Sequence, residues 1–571
     1  MPEKSEGSIR LRLPPPSNGV NINFCKNPLC SNFGQEAELE DQRRRTRGNQ
    51  GSLYRVTGVS IFCSVCQTHT SIKSNLAVSE EYERNLQLLA TPGGLHCPKA
   101  SCTNYYRTVD SHREHYYAHG LTAKGQPRYR CKACKATFSN APRHLRQTTS
   151  HENKTVFQML IGKVSLSKIA EITGLAPKTV YDKIDFLHAQ CTKFLADRER
   201  RFPEISFRHL RIATDMQDYM VNWPTKAMRK TIQFRAIASS CLDSGYVFGC
   251  HPQIDTRFDT NTIQEAVDAC GDLDLSPPFR RYARLWNYED YGNALQLTPE
   301  AFKPAREDQD GPEHMTVDRQ LPKQGSMIHI DYLMFGHFMY LHALLGKKTG
   351  SVHFSLDADP GLANACLSAW KDKCIDGKVD VAILRCNKSA TIDEKNAAIL
   401  EAIRLKNLAE ELYPNLHPFE AHLSYFVTNS ILVALDPKHR GEWLRSHDVE
   451  YPFIKKSEPG KTVRLLTDKG GRSNKQIAMI MHYTSLHQVD RFFMQIRRAI
   501  AGLERAPAYP RRASRKWYLY GFYSPEMVEK CLTIFRTYFN FIATGKDKKT
   551  PAMRLGLAKG PVRYEDIIYF Q

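Results

Sequence analysis

The spacing of apolar residues separates a helical segment from a longer segment that mixes strands and helices. Between residues 153 and 187, apolar positions recur every three or four residues, which predicts three amphipathic helices. Ser165 or Ser167 is a suitable N-cap for the second helix, Gly174 supplies the turn, and Pro177 opens the third. This is a helix-turn-helix pattern, and an ordinary helical hairpin is the alternative. The third helix is predicted to pack through Val180, Ile184 and Leu187. It would enter the major groove of DNA, with contacts predicted at the outward-facing Lys178, Thr179, Tyr181 and Lys183.

Beyond residue 207 the pattern becomes one of short apolar runs bounded by turn residues, which is typical of strands. An acid ends the first of these strands, and such a start is typical of an RNase H-like α/β core. A loop-rich stretch at 255–324 and a mainly helical stretch at 391–470 are expected to be insertions. The predicted strands cover residues 210–215, 232–240, 246–250, 351–357 and 379–385, and the predicted helices cover residues 332–345, 362–370 and 485–498.

The composition of the chain predicts a class of binding partner. The chain has 571 residues, 42% of them hydrophobic, so it can bury the cores of several domains. Its formal net charge of +20 predicts a surface that attracts polyanions, usually nucleic acid; a basic but merely soluble protein is the alternative. No apolar run suits a transmembrane helix, and residues 1–13 lack the apolar centre of a signal peptide. The expected location is a reducing cytoplasm, where clustered cysteines usually bind metal.

Eight of the 16 cysteines form two clusters with one internal pattern, C-x4-C followed by C-x2-C. The first pairs of the two clusters lie 72 positions apart and the second pairs lie 68 apart, so the chain contains an internal duplication. Four thiolates can close a tetrahedron around Zn²⁺, and a small module gains its folding energy from the metal. We predict two structural zinc sites, with the ligands Cys25, Cys30, Cys63 and Cys66 in one and Cys97, Cys102, Cys131 and Cys134 in the other.

Two alternatives concern these clusters: an iron–sulfur cluster could take the same ligands, and scattered structural thiols would need no metal. Since four cysteines complete each set, the nearby histidines are predicted to lie at the surface or around the ligands: His69, His96, His112, His115 and His119. The remaining cysteines are predicted to be small buried hydrophobes: Cys191, Cys241, Cys250, Cys270, Cys366, Cys374, Cys386 and Cys531.

Three aspartates follow the predicted elements in an order that suits metal-dependent phosphodiester chemistry. Asp215 and Asp357 end two strands, and Asp490 lies on the late amphipathic helix. Carboxylates can hold two divalent ions about 3.5–4 Å apart, which stabilise both the attacking and the leaving oxygen, and Mg²⁺ prefers such oxygen ligands. Asp218 and Asp359 are the alternatives to the first two acids. A solvated surface charge is the competing interpretation of any one of them.

These features together resemble the transposases of bacterial insertion sequences with a DDE-type, RNase H-like catalytic core. The similarity rests on the second ribbon, which ends in residues 129–138 (YRCKACKATF), and on the helix-turn-helix after it. It also rests on the late helix 487–498 (HQVDRFFMQIRR) and on the tail 550–558 (TPAMRLGLA). In this group the third acid is usually glutamate. The matching position here is Asp490, which leaves open a triad of aspartates or a third ligand elsewhere, such as Glu504.

The resemblance implies a DNA transposase that binds the terminal inverted repeats of a mobile element and catalyses strand cleavage and strand transfer. It implies two catalytic Mg²⁺ ions, with Mn²⁺ as a substitute, and double-stranded DNA as the partner at element ends and target sites. It further implies a homodimer or higher oligomer and a nucleoid-associated place in the bacterial cytoplasm. The alternatives are a catalytically inactive, zinc-dependent DNA-binding regulator derived from a transposase, and a nuclease of the same fold.

A basic stretch follows the third acid and extends the predicted DNA contacts. Phosphate contacts are expected at Arg497, Arg498, Arg511 and Arg512, with Arg505, Arg515 and Lys516 nearby. The adjacent Trp517, Tyr518 and Tyr520 either stack on unpaired bases or, as we prefer, pack in a core. The predicted multidomain α+β order is a flexible N-terminus (1–20), zinc ribbon 1 (21–80), zinc ribbon 2 (92–145), a helix-turn-helix (150–200), an RNase H-like core (207–545) with helical insertions near 255–324 and 391–470, and a tail (546–571).

Overall fold

The computed structural model shows a mixed α+β chain, as the sequence predicts. It describes residues 13–37, 53–89, 95–99, 102–105, 107–109, 112–123, 125–139, 147–221, 232–297, 320–387, 390–504 and 521–570. Within these ranges no helix is both long and apolar enough to span a membrane.

The first cysteine cluster belongs to a small antiparallel sheet followed by a helix. Its described elements are β1 (Tyr54–Thr57), β2 (Ser60–Cys63), β3 (His69–Ser71) and α1 (Asn75–Gln87). The chain before this sheet is already packed at residues 13–20: Leu13 and Val20 are buried, and Asn75 Nδ2 donates to Pro14 O at 3.2 Å. The flexible N-terminus expected from the sequence therefore does not extend over residues 13–20.

The second cysteine cluster has the same strand plan. Its described strands are β4 (Tyr116–Leu121), β5 (Pro127–Cys131) and β6 (Thr137–Ser139). Tyr54 pairs with Cys63 in the first sheet, and Tyr116 pairs with Cys131 in the second. Both units resemble zinc ribbons. We call them ribbon 1 (described residues between 21 and 71) and ribbon 2 (described residues between 95 and 139).

Three helices follow ribbon 2, close to their predicted positions: α2 (Asn153–Ile161), α3 (Leu166–Thr173) and α4 (Pro177–Glu199). Ser165 is the N-cap residue of α3, and Gly174 ends α3 in the left-handed conformation at φ 66°. Proline suits the first position of α4 because the amide it lacks would have no partner inside the helix. The buried positions that hold the three helices together are Val156, Leu160, Ile169, Ala170, Val180, Ile184 and Leu187.

A mixed sheet forms the centre of the largest unit. Its order in the described residues is β14-β15-β13-β12-β7-β8-β9, with β7 (His209–Val221), β8 (Ile232–Cys241), β9 (Val247–Pro252), β12 (Ser351–Asp357), β13 (Val379–Arg385), β14 (Val449–Glu450) and β15 (Thr462–Leu465). The neighbours β10 (Ile254–Asp255) and β11 (Ser326–Met327) pair with each other. The first three strands are antiparallel, whereas β12 runs parallel to both β7 and β13. The insertion at 391–470 is thus not only helical, because it adds β14 and β15 to one edge.

Helices pack on this sheet and extend from it. The helix α7 packs against β8 and β9, and α14 packs against β7 and β8. The described helices of this unit are α5 (Thr260–Cys270), α6 (Tyr288–Leu297), α7 (Ile330–Leu345), α8 (Pro360–Ala369), α9 (Lys371–Ile375), α10 (Ile392–Leu412), α11 (Pro418–Asn429), α12 (Pro437–Ser446), α13 (Asn474–Tyr483), α14 (His487–Ala499), α15 (Pro525–Phe541), α16 (Pro551–Arg554) and α17 (Tyr564–Ile568).

Ribbon 1 is built into the body of the molecule, whereas ribbon 2 has a small core of its own. The helix α1 packs on α7, where a Cβ added at Gly336 would lie 2.5 Å from Glu81 Cγ. Buried Arg284 links α1 to β10 as well, since it donates to Glu81 at 3.0 Å and to Asp255 at 2.7 Å. The cysteines of ribbon 1 belong to the main apolar core. The separate core of ribbon 2 contains Cys97, Cys102, Val109, Tyr116, Cys131 and Phe138.

The helix α4 joins the three-helix segment to the sheet unit. Its C-terminal end is buried, where Glu199 accepts a hydrogen bond from Tyr246 Oη at 2.8 Å and pairs with Arg536 of α15. The C-terminal helix α17 packs on α2 and α4, and Gln190 Nε2 donates to Ile568 O at 2.8 Å. The three helices are therefore fixed to the sheet unit and not attached by a free linker.

Most cysteines outside the two clusters are buried, as predicted: Cys191, Cys241, Cys366, Cys374, Cys386 and Cys531. Cys250 is half-buried. The prediction is wrong for Cys270, which is exposed because it is the last residue of α5, directly before Gly271 turns the chain.

Candidate functional site

The four cysteine sulfurs of each ribbon converge on one point, as the spacing predicts. In both sets all four Sγ atoms lie within 4.8 Å of one another. In ribbon 1 the Sγ atoms of Cys25 and Cys66 are 3.4 Å apart, and those of Cys30 and Cys63 are 3.7 Å apart. A tetrahedral zinc ion with bonds of about 2.3 Å would separate its sulfurs by about 3.8 Å. Both sets therefore fit zinc; the matching separations in ribbon 2 are 3.3 Å for Cys97–Cys134 and 3.6 Å for Cys102–Cys131.

An asparagine supports the sulfurs in the same way in both ribbons. The backbone N–H of Asn32 donates to Cys30 Sγ at 3.4 Å, and its side-chain amide donates to Cys63 Sγ at 3.5 Å. In ribbon 2, Asn104 makes the same two bonds, each at 3.4 Å, to Cys102 Sγ and Cys131 Sγ. Such bonds orient ligands and stabilise negative sulfur. The repeated text around the cysteines contains both asparagines, but their role follows only from the geometry.

In each ribbon, a buried tyrosine hydroxyl bonds the backbone at the first cysteine and at the asparagine that follows the second cysteine. Tyr54 Oη accepts from Cys25 N at 3.0 Å and donates to Asn32 O at 2.9 Å. Tyr116 Oη accepts from Cys97 N at 3.4 Å and donates to Asn104 O at 2.8 Å. The sequence analysis missed this pair, because the tyrosines precede the third cysteine by different numbers of residues. The signal that could reveal them is the strand register, which sets each tyrosine opposite that cysteine.

In each ribbon, the surroundings of one thiol lower its pKa. Burial raises the pKa of Cys66, but hydrogen bonds with Thr68, Cys25 and Cys63 together bring that pKa to about 6. Burial likewise raises the pKa of Cys131, and hydrogen bonds from the Cys134 N–H and the Asn104 side chain bring it to about 6. Burial raises the pKa of Cys25, Cys30 and Cys97. A bound cation is therefore what would hold the complete set as thiolates.

The histidines near the clusters do not belong to the two ligand sets found in the described residues. His69 packs on Phe62 with ring centroids 4.8 Å apart, and His96 packs edge-on against Tyr105 at 5.2 Å. His115 Nε2 lies 3.1 Å from Arg107 Nη1. His112 and His119 are likewise absent from both sets, so all five positions agree with the sequence analysis.

Asp215 and Asp357 lie side by side on neighbouring parallel strands. Asp357 ends β12, as predicted, but the predicted strand end at Asp215 is wrong, because β7 continues through its pairing with β8 to Val221. Leu356 of β12 is in register with Thr214 of β7, so Asp357 and Asp215 are the next residues along both strands. Adjacent strands are about 4.8 Å apart, and side chains alternate between the two faces. The two carboxylates therefore share one face of the sheet. Asp215 is buried and Asp357 is half-buried.

The shared face of these acids is turned toward α14. Thr214 belongs to the opposite face, where it bonds Ser239 Oγ at 2.6 Å, and Ser239 Oγ in turn lies 2.8 Å from His337 Nε2 of α7. Asp215 alternates with Thr214 and thus points away from α7, to the face on which Tyr219 also lies. Burial lowers the pKa of Arg497 on α14, and the nearby Tyr219 and Asp490 oppose that change.

Asp490 lies in the first turn of α14 and is half-buried. The helix packs through an apolar stripe formed by Val489, Phe492, Phe493 and Ile496, as predicted. Its N-terminus is held by buried Glu458, which accepts from Ser485 Oγ at 2.5 Å and from Leu486 N at 2.8 Å. Glu458 comes from the insertion at 391–470, and no sequence motif indicates this role.

The alternative acids have structural partners. Asp218 accepts from Arg235 Nε at 3.1 Å across the β7–β8 pair. Asp359 caps α8 by accepting from Gly361 N at 2.7 Å. Glu504 forms an exposed ion pair with Lys163 at 2.7 Å. Each alternative acid thus has a structural contact of its own.

In the described residues, only the two cysteine clusters bring three or more potential metal-ligand atoms within 4.8 Å of one another. The three candidate acids do not form such a compact set. A two-ion site spreads its carboxylates around two metals about 3.5–4 Å apart, so such compactness is not its expected signature. Carboxylate oxygens are the ligands that Mg²⁺ prefers. The donor chemistry thus suits Mg²⁺ or Mn²⁺, and the triad stays a prediction.

The predicted DNA contacts on α4 differ in exposure. Lys178 and Tyr181 are exposed, and Thr179 is half-buried. The outward orientation predicted for Lys183 is wrong: its side chain is buried, and Nζ donates to Thr149 O and Asn153 Oδ1, each at 2.7 Å. Lys183 thus braces α4 against the start of α2.

Only some of the DNA contacts predicted after the third acid lie in the described residues. Arg497 is half-buried beside Asp490, and Arg498 is exposed. Arg511 and Arg512, with the basic and aromatic residues around them, lie outside the described residues.

Two comparisons with known proteins accompany this geometry. No protein-family model matches the chain. No curated protein matches it either. The features that characterise the chain are two four-cysteine sites that fit zinc and two aspartates, Asp215 and Asp357, on adjacent strands of a mixed sheet.

Proposed function

We propose that the protein is a DNA transposase that cleaves the ends of a mobile element and joins them to target DNA with the help of divalent ions. The observation that carries this proposal is the pairing of Asp215 and Asp357 on neighbouring parallel strands. Both acids share the sheet face that is turned toward α14, and α14 carries Asp490. The arrangement supports a centre built from three acids on three separate elements.

The topology of the sheet supports the same proposal. Three antiparallel strands, β9-β8-β7, are followed across the sheet by β12 and β13, which run parallel to β7. This order, with helices between the later strands, is the one expected of an RNase H-like core. The first acid then lies on the central strand and the second on its parallel neighbour.

The proposed chemistry is a balanced exchange of phosphodiester bonds. Water attacks a phosphorus at the element end, the bond from phosphorus to the 3′ oxygen breaks, and that oxygen leaves as a 3′ hydroxyl. The freed hydroxyl then attacks a phosphodiester of the target DNA, where another 3′ oxygen leaves. Two Mg²⁺ ions, when bound, would activate the nucleophile and stabilise the leaving oxygen. Asp215, Asp357 and Asp490 would hold and position them.

The remaining parts of the chain would bring DNA to this centre. The net charge of +20 favours a polyanionic partner. The zinc-ribbon region and the segment α2–α4, interpreted as a helix-turn-helix, would bind double-stranded DNA at the element ends. Joining two ends requires at least two copies of the chain, and nucleoid-associated DNA in a bacterial cytoplasm is the expected setting.

A strand-transfer assay tests the proposal. Full-length protein is incubated with DNA from the native flanks of its gene and with a supercoiled target plasmid, with and without Mg²⁺. We expect Mg²⁺-dependent nicks at defined positions and covalently joined products. Nicks without joining would indicate a nuclease of the same fold, and specific binding without cleavage would indicate a DNA-binding regulator. Either result would contradict the transposase proposal.

A further inference from the structure

The duplication gives the molecule an internal comparison between two similar sheets in different settings. Ribbon 1 is part of the main core, and α1 ties it to α7. Ribbon 2 packs around its own cysteines. If both ribbons had only a structural role, their outward faces would be expected to have similar compositions. They do not.

Alternation along the strands gives ribbon 2 an inner and an outer face. On β5, Tyr129 and Cys131 belong to the inner core, whereas Arg128 and Arg130 are exposed. Arg130 lies opposite Tyr117 of β4, which is 52% exposed. The outer face thus consists of side chains that point away from the cysteine site into solvent.

The outer face of ribbon 2 and the cysteine knuckle that follows β5 carry four positive charges: Arg128, Arg130, Lys132 and Lys135. All four are exposed, and within the described part of the chain none of them forms an ion pair. The strand registers and the two cysteine knuckles align these positions with ribbon 1. The corresponding residues there are Ser60, Phe62, Ser64 and Gln67. At these four positions the positive charge is therefore found only in ribbon 2.

The ring of Tyr117 contacts one of these cations. Lys132 Nζ lies 4.9 Å from the ring centroid of Tyr117. A cation over a ring is attracted by the negative ring face, which keeps the side chain close to the sheet. Arg128 and Arg130 are two residues apart, about 6.8 Å along the strand. One phosphate backbone can therefore meet these cations in succession.

The helix α4 offers a less basic surface for DNA. Its exposed N-terminal part has Lys178 but also Asp182 and Asp185, and Lys183 is buried. Asp185 forms an ion pair with Lys530 at the rim of the same surface. Phosphates would meet charges of both signs there, whereas Arg128, Arg130 and Lys132 of ribbon 2 are all positive.

We propose that the outer face of ribbon 2 is a binding surface for the phosphate backbone of double-stranded DNA, while ribbon 1 is a structural part of the core. The inference rests on the proposed function for the identity of the DNA that is bound. It assigns contacts that position DNA and do not read its sequence. Such contacts release counterions, so the salt dependence of binding reports their number.

The test replaces Arg128, Arg130 and Lys132 by glutamine in the full-length chain. The matched control is Arg55→Gln, because Arg55 is an exposed cation of ribbon 1 that lies opposite Phe62, at the position that Tyr117 has in ribbon 2. Affinity for a duplex from the native flanks, and for an unrelated duplex of equal length, is measured by fluorescence anisotropy across a range of salt concentrations.

We expect the triple variant to lose about 2.7 in the slope of log affinity against log salt, about 0.9 for each lost phosphate contact. Both duplexes should be affected alike, and Arg55→Gln should keep the wild-type slope. An unchanged slope in the triple variant would overturn the proposal, as would an equal loss in the control. If the triple variant loses zinc, the single variants Arg128→Gln and Arg130→Gln should each lower the slope by about 0.9.

Failure of this inference is separable from failure of the proposed function. If wild-type protein cleaves and joins DNA but the triple variant keeps the wild-type salt slope, the binding surface is refuted and the transposase proposal stands. Wild-type protein that binds DNA through this face but never cleaves it would refute the transposase and leave the binding surface in place.

Discussion

Replacing Asp215 or Asp357 by asparagine is expected to lower Mg²⁺-dependent strand cleavage by about 10³-fold or more, with DNA affinity retained. Each change keeps the size of the side chain but removes a negative ligand from the face turned toward α14. Metal ions contribute several kcal/mol of transition-state stabilisation, and about 4 kcal/mol corresponds to a 10³-fold rate. The rate of nicking on flanking DNA, measured beside the binding constant, checks the prediction.

The neighbouring acids provide matched controls. Asp218→Asn loses a partly exposed pair with Arg235, worth about 0.2–1 kcal/mol, and should leave cleavage near the wild-type rate. Asp359→Asn should also stay active, since asparagine caps helices about as well as aspartate. Loss of cleavage in these variants with full activity in Asp215→Asn or Asp357→Asn would reverse the assignment.

A similar pair of variants tests which residue is the third acid. Asp490→Asn should show the same loss as the strand variants, because Asp490 lies on the helix that faces them. Glu504→Gln should cleave normally, since its carboxylate forms an exposed pair with Lys163. The opposite pattern would make Glu504 the third ligand.

Loss of one zinc ligand is expected to have very different effects in the two ribbons. Cys63→Ser should lower the main melting temperature by about 10 °C or more, because ribbon 1 belongs to the principal core. A structural zinc ion contributes about 10–16 kcal/mol in small modules, comparable with the whole stability of a domain. Cys131→Ser should leave the main transition within about 2 °C of the wild type, since ribbon 2 has its own core.

Calorimetry and zinc analysis of the same samples check this prediction. Wild type should hold two zinc ions per chain and Cys131→Ser one, with specific DNA binding lost in that variant. Cys270→Ser is the control, because Cys270 is exposed and outside both clusters. An equal loss of thermal stability in Cys63→Ser and Cys131→Ser would show that the two ribbons are structurally equivalent.

The metal-binding part of the molecule could be predicted closely from sequence. Zinc imposes a spacing on its ligands, and the duplication displays that spacing twice. The supporting tyrosines could not be found in the same way. Tyr54 and Tyr116 act through strand pairing, and the loops between each tyrosine and the third cysteine differ in length.

The sheet unit shows where local pattern stops being informative. The strands with Asp215 and Asp357 are long apolar runs and were predicted. The short β14 and β15 were not, because they are stabilised by pairing at the edge of a distant strand, β13. Lys183 was misplaced for a related reason. Its polarity suggests exposure, but two oxygen acceptors near the start of α2 satisfy its ammonium group inside the protein.

The most direct test of the central claim is to locate the bound divalent ions in the protein itself. Fe²⁺ replaces Mg²⁺ in oxygen-ligand sites, and with ascorbate and peroxide it produces radicals that cut the nearby backbone. The account predicts fragments ending near residues 215, 357 and 490 in one sample, suppressed by excess Mg²⁺ and lost in Asp215→Asn. Cuts at only one of these positions, or cuts that persist in Asp215→Asn, would contradict it.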